Sequence, residues 1–173
     1  MKSCTEIILD RRSTKSYKPD MPKKEDIDAI ITSGLAAASG RNKQASIIIA
    51  VTNKEIRDKM SKANAEVIGA SGDPFYGAPV VLVVLADKSV NTRVYDGSLT
   101  LGNMMLTAHE LGLGSCWIHR AKEVFEQDEW KEWLKSIGVE GEYEGVGNLV
   151  LGYTDGDIPN IKERRPGRVY YVK

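Results

Sequence analysis

RVYDGSLTLGNMMLTAHELGLGSCWI, residues 93–118, holds a long helix and then a short strand across a Gly-Leu-Gly turn. From about Arg93 to Leu111 the apolar spacing is helical. Leu99, Leu101, Met104, Met105, Leu106, Ala108 and Leu111 leave little room for a polar face. A helix that is apolar nearly all round belongs in the middle of something. In a chain of 173 residues a subunit interface could supply that burial. Gly114 to Ile118 then reads as a strand. Because a strand and not a helix follows the Gly-Leu-Gly, this is no dinucleotide-binding fingerprint.

The segments on either side mix strands and helices without strict βαβ alternation. Ser3 and Glu6 form an S-x-x-E capping box, so a short helix starts there and ends near Arg12. A second helix begins around Pro22, with Ile27, Ile30, Ile31, Leu35 and Ala38 on one face. SGRNKQ (39–44) breaks it as a loop. Ile47 to Val51 is a continuous β-branched run, expected as a strand buried on both faces. Asn53 can cap a third helix, with Ile56, Met60, Ala63 and Val67 turned inward. GASGDPFYGAP (69–79) is a long loop by its Gly and Pro content, and Val80 to Leu85 a strong strand. Trp130, Trp133, Leu134 and Ile137 mark another helix. Val146 to Tyr153 reads as a strand, and Val169 to Val172 as a short terminal one. The fold class is α+β, with helices packed around one sheet.

The length suggests one domain over residues 1–173. Lys+Arg and Asp+Glu are both 24, so the net charge is zero and nothing global draws the chain to nucleic acid or an anionic membrane. No secretory leader is visible, and the longest apolar run, Pro79 to Ala86, is far too short to span a bilayer. Two cysteines, Cys4 and Cys116, are expected as reduced thiols in a cytoplasmic protein. Cys116 and His119 form a lone C-x-x-H. With two Cys and two His in all, no tetrahedral zinc site is expected.

Basic residues gather near both ends instead: Arg11, Arg12, Lys15 and Lys18, then Lys162, Arg164, Arg165 and Arg168. RRSTKSY (11–17) combines guanidinium forks, hydroxyls and an ammonium, the groups that bind phosphate oxygens. Two separated clusters in a neutral chain suit one small anion better than a polyanion. The plain alternative is a solvated helix end. No Ser-His-Asp set, carboxylate pair or catalytic cysteine is present, so no residue is assigned as catalytic.

Five segments, in order, resemble the FMN-dependent nitroreductase family: RRSTKSY, ASGRNKQ (38–44), FYGAPVVLVV (75–84), DGSLTLGNMMLTAHELGLGSCWI (96–118) and KERRPGR (162–168). The resemblance covers essentially the whole chain. It implies a central, mostly antiparallel sheet surrounded by helices, in an interlocked homodimer with FMN at the subunit interface. It also implies ping-pong electron transfer from NADH or NADPH to a small acceptor such as a nitroaromatic or quinone. A flavin carrier or regulator without fast turnover is the alternative.

By match to the family motifs, Arg11, Arg12, Ser13 and Lys15 would hold the FMN phosphate, joined by Lys162 and Arg164. Ser39, Asn42 and Gln44 match a loop that reaches the partner subunit's FMN. Gly114, Ser115, Trp117, Ile118 and His119 match the segment beside the flavin ring. The chain departs from the pattern in three places. Lys15 stands where family members carry an Arg, Ala38 where they carry a proline, and Ala-Ser follows Gln44 in place of Pro-Trp.

Overall fold

The computed structural model describes residues 2–173. Its centre is a four-stranded antiparallel sheet in the order β1-β2-β4-β3, from β1 (Ser46–Val51), β2 (Val80–Asp87), β3 (Gly114–Ile118) and β4 (Tyr143–Gly152). Six α-helices accompany it: α1 (Cys4–Asp10), α2 (Lys24–Leu35), α3 (Lys54–Ile68), α4 (Arg93–Glu110), α5 (Ala121–Phe125) and α6 (Asp128–Ser136).

β2 explains the layering. Successive side chains of a strand point to opposite faces. Val81, Val83 and Leu85 enter the core formed with Met60, Ala63, Phe125, Trp130 and Leu134 from α3, α5 and α6. Val80, Leu82, Val84 and Ala86 enter the core formed with Ile27, Ile30, Leu101, Met104 and Ala108 from α2 and α4. An unbroken apolar run is what a strand covered on both sides requires. The layers sit close together at Gly145, where an added Cβ would lie 2.3 Å from the backbone carbonyl of Ala121. Gly145→Ala is therefore expected to destabilise the fold by about 1–3 kcal/mol, seen as a lower urea midpoint with an unchanged slope.

Local signals account for the helix starts. The Ser3 hydroxyl accepts from the Glu6 N–H while Glu6 accepts from the Ser3 N–H, the reciprocal capping box. The Asn53 side chain accepts from the Ile56 N–H at the head of α3.

Several expectations need correction. β1 is an edge strand, so it lacks a neighbour on one side, and Ser46–Ile49 are only half-buried. α2 stops at Leu35, which is exposed together with Ala38, so neither extends the buried face. α4 is not uniformly apolar inward: Asp96 and Thr100 are buried, whereas Leu99 and Leu111 are exposed. The short helix α5 lay unpredicted between Arg120 and Trp130. Val169–Val172 form no strand, because no other strand of the chain lies beside them, and residues 155–173 are exposed throughout. Among the described residues, no helix is long and apolar enough to cross a membrane.

Candidate functional site

RRSTKSY begins at Arg11, the C-cap of α1, and is otherwise not helical. α1 stops at Asp10, and the chain then runs extended across the rim of the sheet. Ser13 bridges Ser115 of β3 in parallel, and the Thr14 N–H donates to the Ser115 carbonyl at 3.0 Å. Further on, Tyr17 bridges Thr154, and the Lys18 N–H donates to the Tyr153 carbonyl at 2.9 Å. Thr14 and Tyr17 point inward, with the Tyr17 hydroxyl donating to the Thr14 carbonyl at 2.8 Å. Ser13 and Lys15 point outward.

Arg11 is half-buried, and its Nη1 is buried with no hydrogen-bond partner. Burial holds its guanidinium below the usual arginine range, and Arg12 and Arg164 push it the same way. Arg12 has a different task. Its Nη1 donates to the Leu9 carbonyl at 2.7 Å and the Arg11 carbonyl at 2.6 Å, closing the end of α1, while its Nη2 is buried and unpartnered. Lys162 stands in the exposed tail. Burial pushes the Cys116 thiol up, against the pull of Ser13, Lys15 and Arg11.

Beside this cluster runs β3. Gly114 and Ser115 are buried, Ile118 is half-buried, and Trp117 and His119 are exposed, with ring centroids 5.4 Å apart. Trp117 is thus an aromatic shelf on a sheet edge, not a core residue. The His119 carbonyl accepts from the buried Asn64 side chain at 2.9 Å, which fixes the end of the strand.

Two supporting groups were not visible in the sequence. The Lys15 ammonium lies 5.6 Å from the centre of the Tyr76 ring, a cation–π contact across the 69–79 loop. That loop is locked by Asp73, which accepts from Arg57 Nη2 at 2.6 Å, Ser61 Oγ at 2.5 Å, and the N–H groups of Phe75 at 2.8 Å and Gly77 at 2.7 Å. Burial would raise the Asp73 carboxyl, yet the donors from Ser61, Arg57, Gly77 and Phe75 together hold it below the ordinary carboxylate range.

Ser39, Asn42 and Gln44 are not brought to this cluster. Their loop leads into β1 at Ser46, which pairs with Ala86, itself opposite Glu144, whereas Gly114 pairs with Gly152. Eight residues along β4 and three strand spacings separate the two places by roughly 25–30 Å within one chain. No group of three or more His, Cys, Asp or Glu suited to a metal ion occurs among the described residues.

Comparison with known proteins places this geometry. The Nitroreductase family model matches residues 8–74 and 69–153. A protein of Archaeoglobus fulgidus, provisionally named NADH dehydrogenase/NAD(P)H nitroreductase, is 32% identical over 123 residues, 68% of each chain. The FMN reductase [NAD(P)H] of Bacillus subtilis is 28% identical over 138 residues; the match takes in 66% of this chain and only 53% of that longer protein. Among solved structures, the nitroreductase of Bacteroides fragilis with bound FMN superposes with a TM-score of 0.88 at 26% identity, covering 100% of both chains. Since the family match takes in all four strands and the clasped N-terminal segment, the chain belongs to the nitroreductase family.

Proposed function

We propose that this protein is an FMN-dependent NAD(P)H oxidoreductase that works as a homodimer. It would pass electrons from NADH or NADPH to a small acceptor, such as a nitroaromatic or quinone, in alternating half-reactions at one site. The observation that carries the reading is the Arg11 guanidinium, half-buried with Nη1 unpartnered beside Arg12, so that a buried cationic donor is left with no anion. A phosphate dianion suits such a cluster, because guanidinium forks match its oxygens and each charge-assisted bond is strong.

FMN, when bound, would supply the hydride chemistry. The chain's part is to bind and orient. Arg11, Ser13, Lys15 and Arg164 would hold the phosphate, with Lys162 brought in by the tail and Arg12 shaping the turn. Trp117 and His119 lie two and four residues beyond Ser115, about 7 and 13 Å along the strand. That spacing fits a ligand with an anionic head and an aromatic ring joined by a short chain. Backbone N–H groups of the 114–119 segment would orient the ring.

Three features support the dimer. Ser39, Asn42 and Gln44 are too far from Ser13 to share a ligand in one chain. Tyr95 and Leu99 of α4 are 74% and 52% exposed. The whole 155–173 tail, with Ile158, Ile161, Tyr170 and Tyr171, lies open to solvent. A second copy covers such surfaces at the cost of losing independence as a monomer.

The test is an absorbance spectrum of the purified protein beside light scattering. A yellow dimer that releases FMN on denaturation is expected. NADH or NADPH should bleach it, and a quinone should restore the colour. A colourless protein that fails to take up added FMN would sink the reading. A yellow one that neither nicotinamide reduces within minutes would be a flavin carrier.

A further inference from the structure

The 39–44 loop is held in an unusual shape by a residue distant in sequence. Arg41, Asn42 and Gln44 all have left-handed backbone, with φ of 53°, 53° and 49°. Non-glycine residues adopt that region only when the surroundings impose it. Part of the imposition is local: the Ser39 hydroxyl accepts from the Gln44 N–H at 3.1 Å, and Gln44 Nε2 donates to Asn42 Oδ1 at 3.2 Å. The rest comes from α4. Asp96, in its first turn, is 95% buried, so its carboxyl is committed to the protein interior. Oδ1 accepts from the Gly40 N–H at 3.0 Å, and Oδ2 accepts from the Thr92 hydroxyl at 2.9 Å. Gly40 lies so close to Thr92 that an added Cβ would come within 2.5 Å of its Oγ1. The loop is therefore clamped at one point, with Asn42 and Gln44 facing out.

We propose that Asp96 is a positioning residue for the flavin site of the partner subunit. It acts through Gly40, by fixing the strained loop whose Asn42 and Gln44 complete that site. The inference rests on the flavin-binding reading above and adds a residue to it that touches no ligand itself. The geometry gives the reason for the trans direction. The 39–44 loop leads into β1 at Ser46, at the far corner of the sheet, roughly 25–30 Å from Gly114 of the same chain, while Asp96 reaches it from α4, which lies over β4 with Arg93 on Glu144 and Gly97 against Val146. The phosphate cluster at Ser13 is beyond the loop's reach within one chain, so under this proposal the loop's contribution goes to another copy. A loop that must fold into a left-handed shape at the moment of binding loses affinity, and a clamp that shapes it beforehand removes that loss.

The experiment is complementation between two defective subunits. Asp96→Ala damages the loop that a subunit gives away, whereas Arg11→Ala damages the phosphate cluster it keeps. Each homodimer should bind FMN about tenfold or more weakly than the parent. Heterodimers, isolated by two different tags after co-expression, should carry one site made from an intact cluster and an intact loop. They should bind one FMN per dimer at the parent's affinity, with the parent's visible spectrum. Asp96→Asn keeps a carbonyl for the Gly40 N–H and should restore most of the affinity to the homodimer. If Asp96→Ala does not fold, Gly40→Ala displaces the same loop from Thr92 and should complement Arg11→Ala in the same way.

Heterodimers as poor in FMN as both homodimers would overturn the proposal, since the defect would then lie within one chain. An Asp96→Ala homodimer that binds FMN like the parent would overturn it too. A parent that takes up no FMN would remove the functional reading, and this proposal with it.

Discussion

Arg11→Ala and Arg164→Ala should each weaken FMN binding by roughly 10- to 150-fold while leaving the apo fold nearly intact. A hydrogen bond to a charged group contributes about 1.5–3 kcal/mol, and about 1.4 kcal/mol is tenfold in affinity. Arg11 has no hydrogen-bond partner at Nη1, and Arg164 lies in the exposed tail, so neither replacement strands a buried acceptor. The double mutant should be non-additive if both grip one phosphate, because groups sharing a partner are coupled. Titration followed by flavin fluorescence measures each case. Lys54→Ala, whose side chain is 86% exposed at the head of α3, is the control and should leave FMN affinity unchanged. Riboflavin lacks the phosphate, so both mutants should bind it as the parent does. Equal losses of riboflavin and FMN would mean that the arginines serve the ring or the fold. No loss of either would remove the phosphate cluster from the site.

Asp73→Ala should cost about 1–2 kcal/mol of stability, because the Asp73 carboxylate is more than a third exposed and solvent screens its pairing with the buried Arg57. The pair partner, Arg57, is buried, and it keeps only Asp58 Oδ1 at 3.0 Å and the Ala78 carbonyl at 3.0 Å. The N–H groups of Phe75 and Gly77 lose their acceptor as well. Two readouts identify the cause. The 69–79 loop should become the first site of proteolysis, and Tyr76 should leave the Lys15 ammonium. Stability should also depend on pH in a fixed sense. The Asp73 carboxyl is lowered on folding, so its stabilisation is fully present above the unfolded value, about 3.9, and is lost as pH falls through the lower folded value. The gap between parent and Asp73→Asn in urea midpoint should therefore narrow below about pH 4. A gap that stays constant down to pH 2 would assign the loss to packing instead.

Most elements were legible because their signals are local. The Ser3–Glu6 box, the Asn53 cap and the unbroken Val80–Leu85 run each settle a few residues without reference to the rest of the chain. Burial was less legible, because it depends on neighbours. Ile47–Val51 has the composition of a central strand, but its place at the sheet edge is set by topology. Val169–Val172 has strand propensity and no strand to pair with inside its own chain. α5 is a five-residue helix, shorter than one apolar repeat can announce.

The site divides along the same line. The charged residues of RRSTKSY could be read as anion-binding types from sequence, whereas their alignment with Ser115 could not. Asp96 and Asp73 were missed because each acts on a loop distant in sequence or at the end of an unremarkable turn. The signal for Asp96 was faint: a carboxylate in the first turn of a helix, where an N-terminal acid is common whether or not it is buried. Arg12, grouped by sequence with Arg11, proves to spend one nitrogen on the end of α1.

The edge position of β1 has a consequence for making the protein. SIIIAV carries no charge, no proline and no glycine, and one side of its backbone has no strand beside it among the described residues. That is the composition from which chains nucleate ordered aggregates. The nearest charges are Lys43 and Lys54, three residues beyond either end. They act as gatekeepers, since stacking copies of this strand in register would stack those ammonium groups as well. Acetylating both lysines is therefore expected to raise the aggregation of newly synthesised subunits, which light scattering at matched concentration would measure.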